Sequence, residues 1–280
     1  MSFDLQSAIN NTTTGFIQLP YSSDVQGIGN VVIPDKPLTI QGCSPWGAKL
    51  RGTITCLNGT GVRMRGFRLE GLNGNETGII LGKEGVAVMP ILEDLVLANL
   101  GTPMRLMGCC LGSFRDVYCV DYSRYGVAIA NIYNGDQGDN TFTTCKFDTS
   151  RGGLSAFFQE SSGGLNIHSC KILQGDYAYI GAFNAATSDL SFVQCSIEGQ
   201  KVGAFKVDPC EGFHFDNVII TGCQLAGTFD GAFLSKVNNL AITATAFNMP
   251  GYKAMILRQC TNVHILNNPI SAGMVPLDMR

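Results

Sequence analysis

Four of the chain's eight tyrosines, Tyr118, Tyr122, Tyr125 and Tyr133, fall within 16 residues of one another. Asp116, Asp121, Arg124, Asp136 and Asp139 are interleaved with them. Phenol rings offer flat faces to sugar rings, and carboxylates accept hydroxyl hydrogen bonds or move a proton as acid and base. This composition makes Asp116, Asp121, Asp136 and Asp139 candidate catalytic groups, with Tyr118, Tyr122, Tyr125, Tyr133 and Arg124 as the candidate binding surface. The competing reading is that the tyrosines only pack a loop against its support.

The other reactive side chains carry less. His168, His214 and His264 have no Ser or Cys at a spacing that suggests a nucleophile. The eleven cysteines show no Cys-x-x-Cys or Cys/His ligand spacing, so neither a metal nor a cofactor is implied. Buried free thiols filling a corner are the expectation. Trp46 is expected to pack the N-terminal end.

What positions these residues is a repeat. Phe142-x-x-Cys145, Ile167-x-x-Cys170 and Phe192-x-x-Cys195 recur every 25 residues, with apolar and polar positions alternating around them. That is a strand, a corner and a strand, returning one lap later. The corner position extends to Cys43, Phe67, Leu95 and Val117 on one side and Val218, Thr245 and Asn268 on the other, 22 to 28 residues apart. Glu70, Asp148 and Glu198 then share one outward column. Asp148 and Glu198 lie two laps apart, roughly 9.6 Å, the wide end for an inverting carboxylate pair. An exposed charged strip is the competing reading. A second ladder, Ala156-Phe157, Ala182-Phe183, Ala204-Phe205, Ala232-Phe233 and Ala254-Met255, would point its large residues inward and its alanines outward. Such a flat outward column suits packing of one coil against another. The segment 121–140 reads as the longest irregular excursion.

Composition agrees with one elongated all-β domain. The chain is 45% apolar and 15% charged, with 34 glycines for its many turns. A net charge of −3 gives no pull toward nucleic acid or an anionic membrane. No apolar run reaches membrane-span length, and Met1-Ser2-Phe3-Asp4 lacks the basic start of a signal peptide. Folding in a reducing cytosol is expected.

The chain opens on 2–9, where Ser2 is expected to cap a short helix with Leu5, Ala8 and Ile9 on its apolar face. Then follow Gly15-Phe16-Ile17-Gln18-Leu19-Pro20 and 31–42, "VVIPDKPLTIQG". This opening resembles that of the pectate-lyase-like superfamily, whose members include pectate lyases, polygalacturonases and bacteriophage tailspikes. The resemblance implies a right-handed parallel β-helix of about ten laps, with a capping helix and opening strands over 1–37 and the coil over 38–280. Catalytic motifs of the polygalacturonases and pectate lyases are absent, so none of their residues carries over. The resemblance implies a tailspike-like virion protein, made in the host cytoplasm, that recognises host-surface polysaccharide. Similar spikes are parallel homotrimers, so other copies and phage tail or capsid proteins are the expected partners. The alternatives are a polysaccharide-degrading enzyme and a capsid decoration protein.

Overall fold

The computed structural model describes residues 3–56, 60–83, 88–129, 139–160, 163–182 and 189–279. Alternating side chains leave each strand with one apolar face, and parallel stacking of successive laps buries that face in a continuous column. The chain is accordingly a parallel β-solenoid of about ten turns, in which every described strand pairing is parallel. Three faces run the length of the coil. Face A holds strands such as Asn140–Thr143, Leu165–His168 and Asp189–Val193. Face B holds Lys146–Thr149, Lys171–Gln174 and Ser196–Glu198. Face C holds Thr102–Leu106, Tyr125–Ile129, Ser155–Gln159, Tyr177–Gly181, Gly203–Val207, Asp230–Ser235 and Lys253–Arg258.

The corner between faces A and B has one backbone cause. Gly66, Asp94, Asp116, Thr144, Ser169, Gln194, Gly222, Ala244 and Asn267 all have φ between 48° and 68°. One left-handed residue per lap turns the chain and puts two successive side chains outside, which is the two-residue polar step before each cysteine. The residue that follows points back in. Cys145, Cys170 and Cys195 are 1–2% exposed and stack as free thiols. Their column continues to Cys223 rather than Val218, because Leu190 pairs with Val218 and Phe192 with Ile220. The Phe213/Phe215 pair imitates the repeat five residues early.

Each of these thiols donates to two carbonyls, one two residues back and one in the preceding lap. Cys170 Sγ lies 3.3 Å from His168 O and 3.6 Å from Phe142 O. Thr245 repeats the arrangement with its hydroxyl, at 3.2 Å to Thr243 O and 3.3 Å to Ile220 O. The column thus selects a small inward group with a donor. Inside, the rings of Phe142, Phe147, Phe157, Phe192 and Phe205 pack edge to face at 4.6–6.3 Å between centroids.

The second ladder differs from its sequence register. Tyr177 pairs with Ser155 and Tyr179 with Phe157, so Ala178, not Ala182, follows Ala156. Ala232 pairs with Phe205, so Gly231 is the partner of Ala204. Ala156, Ala178, Ala204 and Ala254 are wholly buried, and Ala232 is 2% exposed. The reason is a second bend, at which consecutive residues such as Ala156 and Phe157 both face the core. The flat outward alanine face does not exist, and the support it lent to trimer formation goes with it.

Helix Leu5–Asn11 closes one end. Its N-cap is Asp4, which accepts from Ser7 N at 2.9 Å; Ser2 lies outside the described residues. Leu5 and Ile9 are buried. The Gln6 amide both donates to Val32 O at 3.0 Å and accepts from Val32 N at 2.7 Å, supplying the strand edge with the partner a further lap would give. Trp46 is 70% exposed and does not pack that end.

Candidate glycan-binding face

The residues from Asp116 to Asp139 do not form one loop. The described residues of this span occupy successive faces, so they are spread around the coil. Asp116 sits at the A–B corner, where Thr144 Oγ1 donates to its carboxylate at 2.6 Å. Tyr118 is on face B, 43% exposed, paired with Val96 and Lys146. Asp121 is exposed at the B–C corner and accepts from Ser150 Oγ at 2.7 Å. Tyr122 is a core residue with no exposure, so its ring offers no face to a ligand. Its phenol is raised by burial first, then by the neighbouring Cys119 and Asp148. Arg124 and Tyr125 open the face C strand, and Asp139 is exposed at the start of the next face A strand. Tyr133 and Asp136 lie outside the described residues. The supposed excursion contains a regular strand, Tyr125–Ile129. Among the described residues of the candidate set, the fold brings together only Arg124 and Tyr125 on one face.

Their neighbours are one lap away, and the strand register finds them. An outward column on face C reads Ile80, Arg105, Ala128, Phe158, Ile180, Lys206, Phe233 and Ile256. Two hollows open along it. The first, about 180 Å³, is lined by Arg105, Arg124, Tyr125, Ala128, Phe158 and Glu160, with Thr77 and Thr102 at its edge. Its wall is the stacked pair Tyr125 and Phe158, 4.3 Å between centroids at 7°. The Arg124 guanidinium lies 5.8 Å from the Tyr125 ring centre. Ala128, the smallest member of the column, leaves the space between Arg105 and Phe158.

The second hollow, about 270 Å³, is lined by Tyr177, Val202, Lys206, Asp208, Asp230, Phe233 and Ile256. Burial and the charge of Asp176 hold the Tyr177 phenol above its ordinary value. Arg258 covers Phe233 at 5.1 Å from the ring centre, and Asp230 Oδ1 accepts from Lys253 N at 2.9 Å. Ile180 joins the two hollows, so a ring-and-charge surface runs along several laps of one face. No composition cluster in the sequence marks it; only equal offsets within the lap do.

Two carboxylate arrangements remain. The strip Glu70, Asp148 and Glu198 is one column, as the register shows for Asp148, Leu173 and Glu198. Glu70 and Asp148 are tied up in ion pairs, Arg68 to Glu70 at 2.6 Å and Lys146 to Asp148 at 3.1 Å, and Glu198 accepts from Ser196 Oγ. Asp94 and Asp116 occupy the left-handed corner in adjacent laps. Partial burial first, and Asp116 second, hold the Asp94 carboxyl above the usual range. Among the described residues no His/Cys/Asp/Glu group has the geometry of a metal site.

No protein-family model matches the chain, and no curated protein matches it in sequence. Among solved structures it is similar to the catalytic domain of a GH87 α-1,3-glucanase in complex with tetrasaccharides, at 11% identity and a TM-score of 0.49. The match covers 98% of this chain and 67% of that one. The catalytic unit of a thermostable GH87 α-1,3-glucanase from Streptomyces thermodiastaticus is similar at 10% identity and a TM-score of 0.33, covering 96% of this chain and 64% of that one. The Streptococcus pneumoniae surface protein and adhesin PfbA is similar at 9% identity and a TM-score of 0.29, covering 98% and 93%. At such identities the likeness is one of architecture and assigns no activity.

Proposed function

We propose that the chain binds a polysaccharide laid along face C. In this reading it is the receptor-binding part of a tailspike-like bacteriophage virion protein that recognises host-surface polysaccharide. The observation that carries the binding is the outward column of face C, where the half-buried rings Phe158 and Phe233 stand among Arg105 and Lys206 across both hollows. Rings supply stacking area, and Glu160, Asp208 and Asp230 supply acceptors for hydroxyls. The virion setting and the homotrimer rest on the resemblance of the opening segment alone. Phe158→Ala and Phe233→Ala should each weaken oligosaccharide binding by roughly 0.5–1.5 kcal/mol in calorimetry, the measure of one aromatic contact. Binding unchanged in both variants would move the site off face C. As a homotrimer the purified protein should run in light scattering at about three times its 30.0 kDa chain mass, and a mass near one chain would rule the trimer out.

Cleavage is the second reading, and a different feature favours it. Asp208 follows Gly203, the lap partner of Asp230, by five residues, about 16 Å of strand. Even an inverting pair stands only about 6.5–9.5 Å apart, so the backbone does not pre-set these two for acid–base work. Asp94 and Asp116 do suit it: adjacent laps are roughly 4.8 Å apart, near the 5–5.5 Å of a retaining pair. Shortened oligosaccharides released by the native chain, and lost in Asp116→Asn, would establish an enzyme with Asp116 in its machinery. Intact polysaccharide after long incubation would leave a binding protein.

A further inference from the structure

The first hollow holds two arginines that form no ion pair among the described residues. Among the described residues Arg258 likewise has only a ring, that of Phe233, but most other arginines of the coil are engaged by side-chain oxygens. Arg51 and Arg68 meet Glu70, Arg63 and Arg115 meet Glu93, Arg65 bonds Gln41, and Arg151 bonds Asn99. Arg105 and Arg124 have no carboxylate within ion-pair distance among the described residues, although Glu160 lines the same hollow. Lining one hollow with two guanidinium groups that have no ion-pair partner costs electrostatic energy that an incoming anion would recover. Arginine presents a planar fork that matches a carboxylate with two parallel hydrogen bonds.

Resting on the face C reading above, we infer that the polysaccharide is acidic, and that the hollow takes the carboxylate of a uronic-acid-type sugar between Arg105 and Arg124. The surroundings fit that group in three ways. Ala128 leaves room for a ring between Arg105 and Phe158, the stacked Tyr125–Phe158 pair gives that ring an apolar wall, and Thr77 and Thr102 offer hydroxyls at the rim. Among the described lining residues, two arginines and one glutamate leave a single positive charge, which suits a monoanionic carboxylate better than a doubly charged phosphate ester. Glu160 itself is an acceptor for sugar hydroxyls.

The test compares uronate-containing oligosaccharides with their carboxyl-reduced counterparts, in which the carboxylate has become a primary alcohol and nothing else has changed. The native chain should bind the acidic member at least about tenfold more tightly, the order of one charge-assisted contact. The preference should shrink with added salt. Arg105→Gln and Arg124→Gln should each remove most of the preference while leaving the melting temperature unchanged, since neither side chain supports the core. Ala128→Leu, which fills the hollow without touching charge, should abolish binding of the acidic member. Equal affinity for the acidic and reduced members would overturn the inference. If the reduced members bind equally through Phe158, face C still binds polysaccharide and only its acidic specificity is lost; if no member binds, both readings fall.

Discussion

At the scale of single residues, the thiol column shows why the repeat is written in cysteine. The position needs a side chain small enough for a corner and able to donate to two carbonyls, and Cys145, Cys170, Cys195, Cys223 and Thr245 all meet that need. Cys195→Thr should therefore be tolerated in urea denaturation, whereas Cys195→Leu should cost about 1–3 kcal/mol by overpacking. Burial also protects the thiols. Of eleven cysteines Cys43 and Cys210 are exposed and Cys110 and Cys260 half-buried, so a thiol reagent should label the first two promptly, the next two slowly and the seven buried ones only on unfolding. Alkali should destabilise the fold. Burial, with the Asp35 charge second, pushes Cys56 from 9.0 up to about 11, and burial raises Cys109 and Cys119 as well. The thiol is favoured in the folded state, so this contribution is whole below pH 9.0 and is lost as pH climbs through about 11. For Cys56 alone it is on the order of 2–3 kcal/mol. Denaturation midpoints that hold steady between those pH values would contradict the burial of these groups.

At the scale of the element, the left-handed corner is the feature to perturb. Ala244 and Thr144 occupy it with φ of 48° and 53°, where a Cβ is strained by about 1–2 kcal/mol. Replacing Ala244 by glycine relieves that strain but loosens the unfolded chain by about 0.4–1 kcal/mol, leaving a net gain of about 0.8 kcal/mol. Thr144→Gly should show no such gain, because it also deletes the hydroxyl bonds to Asp116 Oδ1 and Thr143 O, at 2.6 and 2.7 Å. Thermal melts of the two variants decide the matter, and a destabilised Ala244→Gly would mean that the corner is not strained. These corners also explain what the sequence could and could not disclose. The polar pairs Thr143-Thr144 and His168-Ser169 mark them plainly, and so the lap and the cysteine stack were legible. Register across 195–223 was not, because Phe213 and Phe215 carry the same alternation five residues early and only hydrogen bonding between laps separates the two. The candidate site failed for a related reason. Tyr118, Tyr122 and Tyr125 are close in sequence but point to face B, the core and face C, whereas Tyr125 and Phe158 are 33 positions apart and stack at 4.3 Å. In a coil, a site has to be sought at constant lap offset.

At the scale of the whole molecule, stability is shared between laps rather than pooled in one centre. Each lap of such a coil bonds only to the one before and the one after, so opening proceeds most cheaply from an end. The two ends differ. At the first, helix Leu5–Asn11 buries Leu5 and Ile9, each contributing about 1.5–3 kcal/mol, and Gln6 satisfies the edge at Val32. Lys36 Nζ adds a bond to Ile9 O at 2.6 Å, fixing the helix to the strand that follows. At the other, Val263–Leu266 and Val275–Met279 each pair on one side only among the described residues, and Leu266, Val275 and Met279 are 58, 48 and 72% exposed. Hydrogen exchange should therefore show a gradient. Amides of 263–279 should exchange first, those of 237–258 next, and those of Asn140–Thr143 and Leu165–His168 only with global unfolding. Ile9→Asp should create a second front at the helical end by placing a charge in a site with no exposure, and amides of Gln26–Ile33 should then lose protection while those of 263–279 are unchanged. Uniform loss of protection along the coil in that variant would show that the laps unfold as one unit, and the lap-by-lap account of stability would have to be abandoned.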